Sequence, residues 1–362
     1  MYTLLTGAKI NMGDYLITER CRQLLRAHLP NEEQLVLPHW KPLSDHLEQV
    51  NASKAVIIMG GPGFQPGFYP RVYKLHTDMN AIKVPIVPLG LGWKGVPGDW
   101  ETLNRYRFTP ESKRVLERIS AETRYLGCRD YMTVEALKRN GINNPLMTGC
   151  PVWYRLDALG KPFERPRQLS RIVVTPAQRP VYQRQSKSLL QQIHQAFPKA
   201  EKYCSFNRGI TQEHPLLGTA EKKNNQQIAD YAASLGYQVK DTSGDLKHID
   251  FYDSCDVHVG YRVHSHLYFI SSRKPSILLH EDGRGRGASE ALNLLGVDAF
   301  VPGRRFVKKL QPAPDAVDRT LSLLQAELEN GFNRFAGLHL VLDEQYKVMT
   351  HFIDTLPGNN GA

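Results

Sequence analysis

From Tyr2 onward the chain alternates short, almost wholly apolar runs with longer segments whose apolar residues recur at helical spacing. Apolar runs of about four to eight residues bounded by turn formers predict buried strands, and a period of about 3.6 predicts amphipathic helices. In the first half the strands fall at residues 2–6, 34–37, 55–59, 84–91, 125–128 and 145–148. The helices between them fall at 14–29, 43–50, 68–82, 112–122 and 132–140. A second series follows, with strands at 171–175, 202–205, 237–239, 256–260, 276–279 and 299–301. Its helices are at 186–197, 220–235, 248–254, 262–272 and 289–295, and one or two terminal helices cover 315–356. Strands that are apolar on both faces and alternate with helices imply α/β architecture with mostly parallel sheets covered on both sides.

Prolines and charges interrupt the pattern over residues 151–167, so this stretch is the expected linker. The expected organisation is a Rossmann-like doubly wound domain over 1–150 and a second over 168–312. Helices over 313–356 would pack back, a flexible tail would cover 357–362, and a ligand cleft would lie between the carboxyl ends of the two sets of strands. A length of 362 residues suits two cores. A net charge of +10 favours anionic partners. No recognition-helix, zinc-finger or aromatic-rich RNA-binding signature is present, so nucleic acid is not an expected partner. Five widely spaced cysteines without a Cys-x-x-Cys pair argue for a reducing compartment and against a disulfide framework or cysteine zinc site. The first 20 residues lack a basic start followed by an apolar core, and no apolar run approaches a membrane span, so the expected location is cytoplasmic.

The densest set of groups able to hold an anion and move a proton lies between Gly260 and Gly287. Gly260 marks a strand-to-helix turn, which aims backbone N–H groups and a partial positive charge outward. Arg262 and His264 fall in the first helical turn, where a guanidinium and a titratable imidazole can converge on one anion. His266 makes a His-x-His with His264, but positions i and i+2 of a helix point about 200° apart. The pair therefore does not suggest a metal site, and His266 is expected to hydrogen-bond inside the domain. Arg284 and Arg286 follow the next strand as further anion-binding candidates, with a solvated basic loop as the alternative. Three glycine loops of the first half, around Asn11, Gly13 and Asp14, at Gly60 and Gly61, and at Gly90 and Gly92, also follow predicted strands. None has the dinucleotide or P-loop spacing. Asp14 suits either a helix cap or a base that orients a sugar hydroxyl. Cys150 has no base beside it in sequence and is expected to be a structural thiol.

Taken in order, Asn11-x-Gly13-Asp14, Gly60-Gly61 after an apolar strand, Gly90-x-Gly92, Cys128-Arg129-Asp130, the segment 137–141 and the Arg262-x-His264 turn before an apolar strand resemble the polysaccharide pyruvyl transferase family. The resemblance spans roughly residues 3–300. It implies a GT-B-like arrangement of two Rossmann-like domains and transfer of a pyruvyl group from phosphoenolpyruvate to sugar hydroxyls, giving a pyruvate ketal in surface-polysaccharide biosynthesis. It also implies that Arg262 holds the donor's phosphate or carboxylate and that His264 is the acid–base residue. The chain departs from the family at Gly149-Cys150-Pro151, where an acidic residue is usual. It departs again at residues 280–286, where an acidic residue and a lysine are usual and this chain has Glu281, Asp282, Arg284 and Arg286.

The expected function is that of a pyruvyl transferase-like enzyme needing neither metal nor cofactor beyond its donor substrate. His264 and Asp14 are its catalytic candidates; Gly260, Arg262, Arg284 and Arg286 would face the donor. Asn11, Gly13, Gly60, Gly61, Gly90, Gly92 and Glu281 would line the acceptor side. The acceptor would be a saccharide, lipid- or phosphate-linked, and the basic surface would draw the protein to an anionic inner membrane face. Two rivals use the same residues: a GT-B glycosyltransferase with a nucleotide-sugar donor, and a non-catalytic protein that binds acidic glycans.

Overall fold

The computed structural model describes residues 1–210, 218–301 and 311–359. The chain forms two compact units. The first comprises residues 1–8, 17–156 and those from 342 onward; the second comprises 9–16 and 157–341.

In the first unit, strands β1 (Tyr2–Thr6), β2 (Gln34–Pro38), β3 (Val56–Met59) and β4 (Ile86–Leu89) form a parallel sheet in the order β2-β1-β3-β4. Leu91 bridges to a parallel pair, β5 (Leu126–Cys128) and β6 (Pro145–Met147). Helices α1 (Met12–His28, in this unit from residue 17 onward), α2 (Leu47–Asn51), α3 (Trp100–Asn104), α4 (Pro110–Glu122) and α5 (Tyr131–Lys138) connect these strands, none of the five lying between β3 and β4. Their start signals are local. Thr109 accepts from the Ser112 amide at 3.3 Å ahead of Pro110, which needs no N–H at that position, and Asp130 accepts from the Thr133 amide at 2.7 Å.

In the second unit, β7 (Arg171–Thr175), β8 (Glu201–Phe206), β9 (Gln238–Asp241), β10 (Val257–Gly260), β11 (Ser276–His280) and β12 (Gly296–Asp298) form a parallel sheet in the order β12-β11-β10-β7-β8-β9. Helices α6 (Gln183–Ala196), α7 (Thr219–Ser234), α8 (Val263–Ser271) and α9 (Gly283–Ala291) connect them. The chain runs outward from β7 through β8 to β9, then returns to β10 and runs the other way. The topological switch therefore lies between β7 and β10, whose last residues Thr175 and Gly260 are paired in register. A short antiparallel pair, β13 (Phe300–Val301) and β14 (Gln311–Pro312), precedes α10 (Ala316–Glu329), and α11 (Leu338–Asp354) belongs to the first unit from residue 342 onward.

Among the stretches that differ from expectation, four bear on the fold. The helix expected at 68–82 does not form: only a tight turn, Phe68–Val72, and a 3-10 turn, Met79–Ala81, are helical. Pro70 lacks an amide proton and keeps Tyr69 extended at φ −130°, ψ 141°. The helix expected from Ser289 begins at Gly283 instead, because the Asp282 carboxylate accepts from the Arg284 amide at 3.1 Å and caps an otherwise poor helix-forming run. Pro151–Trp153 and Tyr154 are buried rather than linker-like. In the tail, Tyr2 donates to the Pro357 carbonyl at 3.0 Å and Lys54 to that of Gly358 at 2.8 Å, which ties residues 357–358 to the first unit. The remainder of the expected tail, 360–362, lies outside the described residues. Among the described residues no helix is long and apolar enough to cross a membrane.

All five cysteines are free and buried. Burial pushes the Cys150 thiol up to about 11, as suits a packing residue. The first unit also buries an ion pair. Arg129 Nε lies 3.1 Å from Asp130, the Arg129 guanidinium donates to the Trp93 carbonyl at 3.1 Å, and both side chains are only 2% exposed. Breaking such a pair strands a charge. Asp130→Ala, which also removes the α5 cap, is expected to lower unfolding free energy by about 3–5 kcal/mol in urea titration; a loss below about 1 kcal/mol would contradict this account.

Candidate functional site

At the switch between β7 and β10, Thr175 holds the turn through both its backbone and its side chain. The Thr175 carbonyl accepts from the Tyr261 amide at 3.0 Å, and its hydroxyl accepts from the Arg262 amide at 3.1 Å. Gly260 has φ +148°, and a Cβ there would lie 2.2 Å from the Thr175 carbonyl oxygen, so only glycine permits this approach. The turn delivers Arg262 as the N-cap residue of α8 and His264 into its first turn.

Residues 9–16 complete the site. The Met12 amide donates to the Asn207 carbonyl at 2.8 Å and the Gly244 amide to the Ile10 carbonyl at 2.9 Å. Gly13 then lies flat against the His264 imidazole, where a Cβ would fall 1.9 Å from Nδ1. Asn11 accepts from Arg262 at 3.4 Å and donates to Asp14 at 3.1 Å. Arg262 also donates to the Gln178 side-chain oxygen at 2.9 Å. Its partners are thus neutral amides, and among the described residues it forms no ion pair. Burial, with Arg284 and Arg208 nearby, pulls the guanidinium below its ordinary pKa, while Glu281 opposes the shift.

Two carboxylates at the end of β11 lie in contrasting surroundings. Asp282 takes a bidentate pair from Arg284, 2.8 Å to each oxygen, with Arg179 at 3.7 Å. Burial alone would raise Asp282, but the Arg284 charge and hydrogen bonds win and hold it at about 2. Glu281 is 5% exposed and, among the described residues, has one hydrogen bond, from the Arg179 amide at 3.2 Å. Burial raises its carboxyl above the usual range, Asp282 adds to this, and Arg262 and Arg284 oppose it. Burial raises Asp14 too, against the Asn11 hydrogen bond and the charges of Arg208, Arg284 and Arg262.

Asn11, Asn207, Arg262, His264, Glu281, Asp282 and Arg284 line one pocket of about 350 Å³. A second, of about 230 Å³, shares Asn207 and Arg262 and is lined further by Gln178, Arg208, Glu221 and Asn225. Of the residues expected from sequence, the structure therefore brings together Asn11, Gly13, Asp14, Gly260, Arg262, His264, Glu281 and Arg284. Arg286 is placed elsewhere, ion-paired with Asp298, which also bonds His280 Nδ1 at 3.1 Å. Gly60, Gly61, Gly90 and Gly92 belong to the first unit, where the Gly92 amide donates to Gly61 and the Gly60 amide to Leu89. Gln178, Arg179, Asn207 and Arg208 were not singled out from sequence. Their signal was position, immediately past the carboxyl ends of β7 and β8.

Beneath the site, His258 and His266 share the Ser276 hydroxyl through their Nδ1 atoms at 2.7 and 2.8 Å, and His258 Nε2 reaches the Thr175 hydroxyl at 2.8 Å. Among the described residues, no cluster of histidine, cysteine and carboxylate side chains could hold a metal ion. His266 itself is buried and hydrogen-bonded through Nδ1.

The family model described as Polysaccharide pyruvyl transferase matches residues 11–282 of the chain. No curated protein matches the chain in sequence. Similar solved structures include UDP-GlcNAc 2-epimerase from Methanocaldococcus jannaschii in complex with UDP-GlcNAc and UDP, at 10% identity and TM-score 0.53, covering 97% of this chain and 100% of that one. A putative UDP-N-acetylglucosamine 2-epimerase from Listeria monocytogenes matches at 11% identity and TM-score 0.52, covering 100% of this chain and 99% of that one. These likenesses establish the fold, two Rossmann-like units of the GT-B class.

Two outcomes follow. Gly13→Ala is expected to displace the His264 ring, visible in a crystal structure, and to cost about 1–3 kcal/mol of stability; an unmoved imidazole would contradict the contact. Burial holds His266 at about 3 and His258 well below 6.5, so both are neutral when folded and take up protons on unfolding. Their contribution is full above about pH 6.5 and falls as pH drops below it, by up to about 1.4 kcal/mol per pH unit for each histidine. Denaturant titrations between pH 7 and 5 should show this slope, and His266→Gln should reduce it; an unchanged slope would contradict the assignment.

Proposed function

Because the chain belongs to the polysaccharide pyruvyl transferase family, we propose that it is a transferase that moves the pyruvyl group of phosphoenolpyruvate onto two hydroxyls of a saccharide as a ketal. The observation that supports this most is the Arg262 guanidinium, held by the neutral amides of Gln178 and Asn11, turned into a pocket and two residues from His264. A cation that has no carboxylate partner among the described residues and is crowded by Arg284 and Arg208 gains most from a multiply charged anion.

In this reading Arg262 binds the donor's phosphate or carboxylate and His264 protonates its methylene carbon. That leaves C2 electron-poor and open to a hydroxyl oxygen. Gly13 and Asn11 fix the imidazole and the guanidinium against one another, which keeps proton donor and anion in register. Arg284, tied to Asp282, adds positive potential rather than a free fork. In the same reading Asp14, with these cations near it, orients an acceptor hydroxyl. The net charge of +10 draws a phosphate- or lipid-linked acceptor.

The test is incubation with phosphoenolpyruvate and a panel of saccharides, following phosphate release and the mass of a pyruvate ketal. Turnover is expected, with His264→Ala lowering kcat by about 10²–10⁴-fold and Arg262→Lys raising KM for phosphoenolpyruvate. Response to a nucleotide sugar but not to phosphoenolpyruvate would overturn this reading, as would full activity of the His264→Ala protein.

A further inference from the structure

Ketal formation consumes two hydroxyl protons, and one imidazole cannot handle both while it is also protonating carbon. The methylene takes one proton from His264, and the departing phosphate needs another. A second proton carrier is required if neither is to be lost to an ordered water. The pocket that holds Arg262 and His264 contains two adjacent carboxylates. Asp282 is spoken for: it caps α9 and is locked by both nitrogens of Arg284. Glu281 has the opposite situation: among the described residues it takes one hydrogen bond, from the Arg179 amide, and forms no ion pair, and it is buried in the pocket wall that Arg262 shares. Neighbouring carboxyl groups driven apart by their surroundings are the usual mark of one structural and one proton-transferring group.

Resting on the pyruvyl-transfer reading, we propose that Glu281 is the second catalytic acid–base residue. As the first hydroxyl oxygen bonds to C2 of phosphoenolpyruvate, whose methylene has gained the His264 proton, the Glu281 carboxylate takes that hydroxyl's proton. The C2–O bond to phosphate then breaks, its electron pair leaves with the phosphate, and Glu281 passes its proton to the phosphate oxygen. The second hydroxyl bonds to C2 and gives its proton to His264. Both residues finish as they began, and the products are the ketal and inorganic phosphate.

Glu281→Gln keeps shape and removes the base. Its kcat should fall by about 10²-fold or more, with KM for phosphoenolpyruvate changed less than about two-fold and the acid limb of the kcat–pH profile flattened. The groups facing Glu281 that also shape this profile are Arg262, Asp282, Arg284, Arg179, Tyr182 and Tyr261. Of the carboxyl groups among them, Asp282, at about 2, titrates well below the limb assigned to Glu281. In Glu281→Ala, added formate should restore part of the rate, which a purely structural role would not permit. Wild-type turnover with an unaltered Glu281→Gln profile overturns this assignment and leaves the transfer reading intact. So does a Glu281→Gln effect confined to KM, or a Glu281→Ala protein that formate does not rescue. Absence of wild-type phosphate release from phosphoenolpyruvate across the saccharide panel overturns both.

Discussion

The contact on which the site depends is the one between Gly13 and the imidazole of His264. A single added methyl would sit 1.9 Å from Nδ1, so the ring can occupy its place only because residue 13 has no side chain. That fixes the order of everything around it. The segment carrying Gly13 is pinned through the Met12 amide on the Asn207 carbonyl, and the same segment supplies Asn11 to Arg262. The helix carrying His264 is pinned by Thr175, which holds the turn at both the Tyr261 and Arg262 amides. Two parts of the chain some 250 residues apart in sequence are thereby held to one geometry. Proton-transfer catalysis demands this, because misplacement by about 1 Å can cost about 10²-fold in rate.

Electrostatics divides the labour among similar groups. Three arginines lie near one another, yet Arg284 is neutralised by Asp282 and Arg208 by Glu221 at 3.0 Å, which leaves Arg262 on neutral partners. The carboxylates divide in the same way, Asp282 held ionised by its arginine and Glu281 raised by burial. Charged groups that satisfy one another build the wall, whereas Arg262 and Glu281 form no ion pair among the described residues and face the same pocket.

Much of this architecture was legible in the sequence because strand and helix periods are strong in long apolar segments. Arg171–Thr175 forms over the residues expected, the Gly260 turn forms as its residue type suggested, and Arg262 and His264 line the same pocket. The departures have local causes. Pro70 broke a periodic pattern that continued through it, and Asp282 began a helix over glycines and arginines that look like a loop. Arg286 was grouped with Arg284 by sequence proximity, but two residues along a helix turns a side chain to nearly the opposite face, toward Asp298. Asn207 and Gln178 carry no motif, and only the sheet order, which places β7, β8 and β10 side by side, brings them to Arg262.

A crystal structure of the protein with phosphoenolpyruvate tests most directly whether Arg262 and His264, held by Asn11 and Gly13, receive one anionic donor. An anionic end of the donor is expected on the Arg262 guanidinium, with its methylene carbon within reach of the His264 ring. Donor bound at the Gly60 and Gly61 loop of the first unit, with Arg262 still engaged by Gln178 and Asn11 alone, would contradict it.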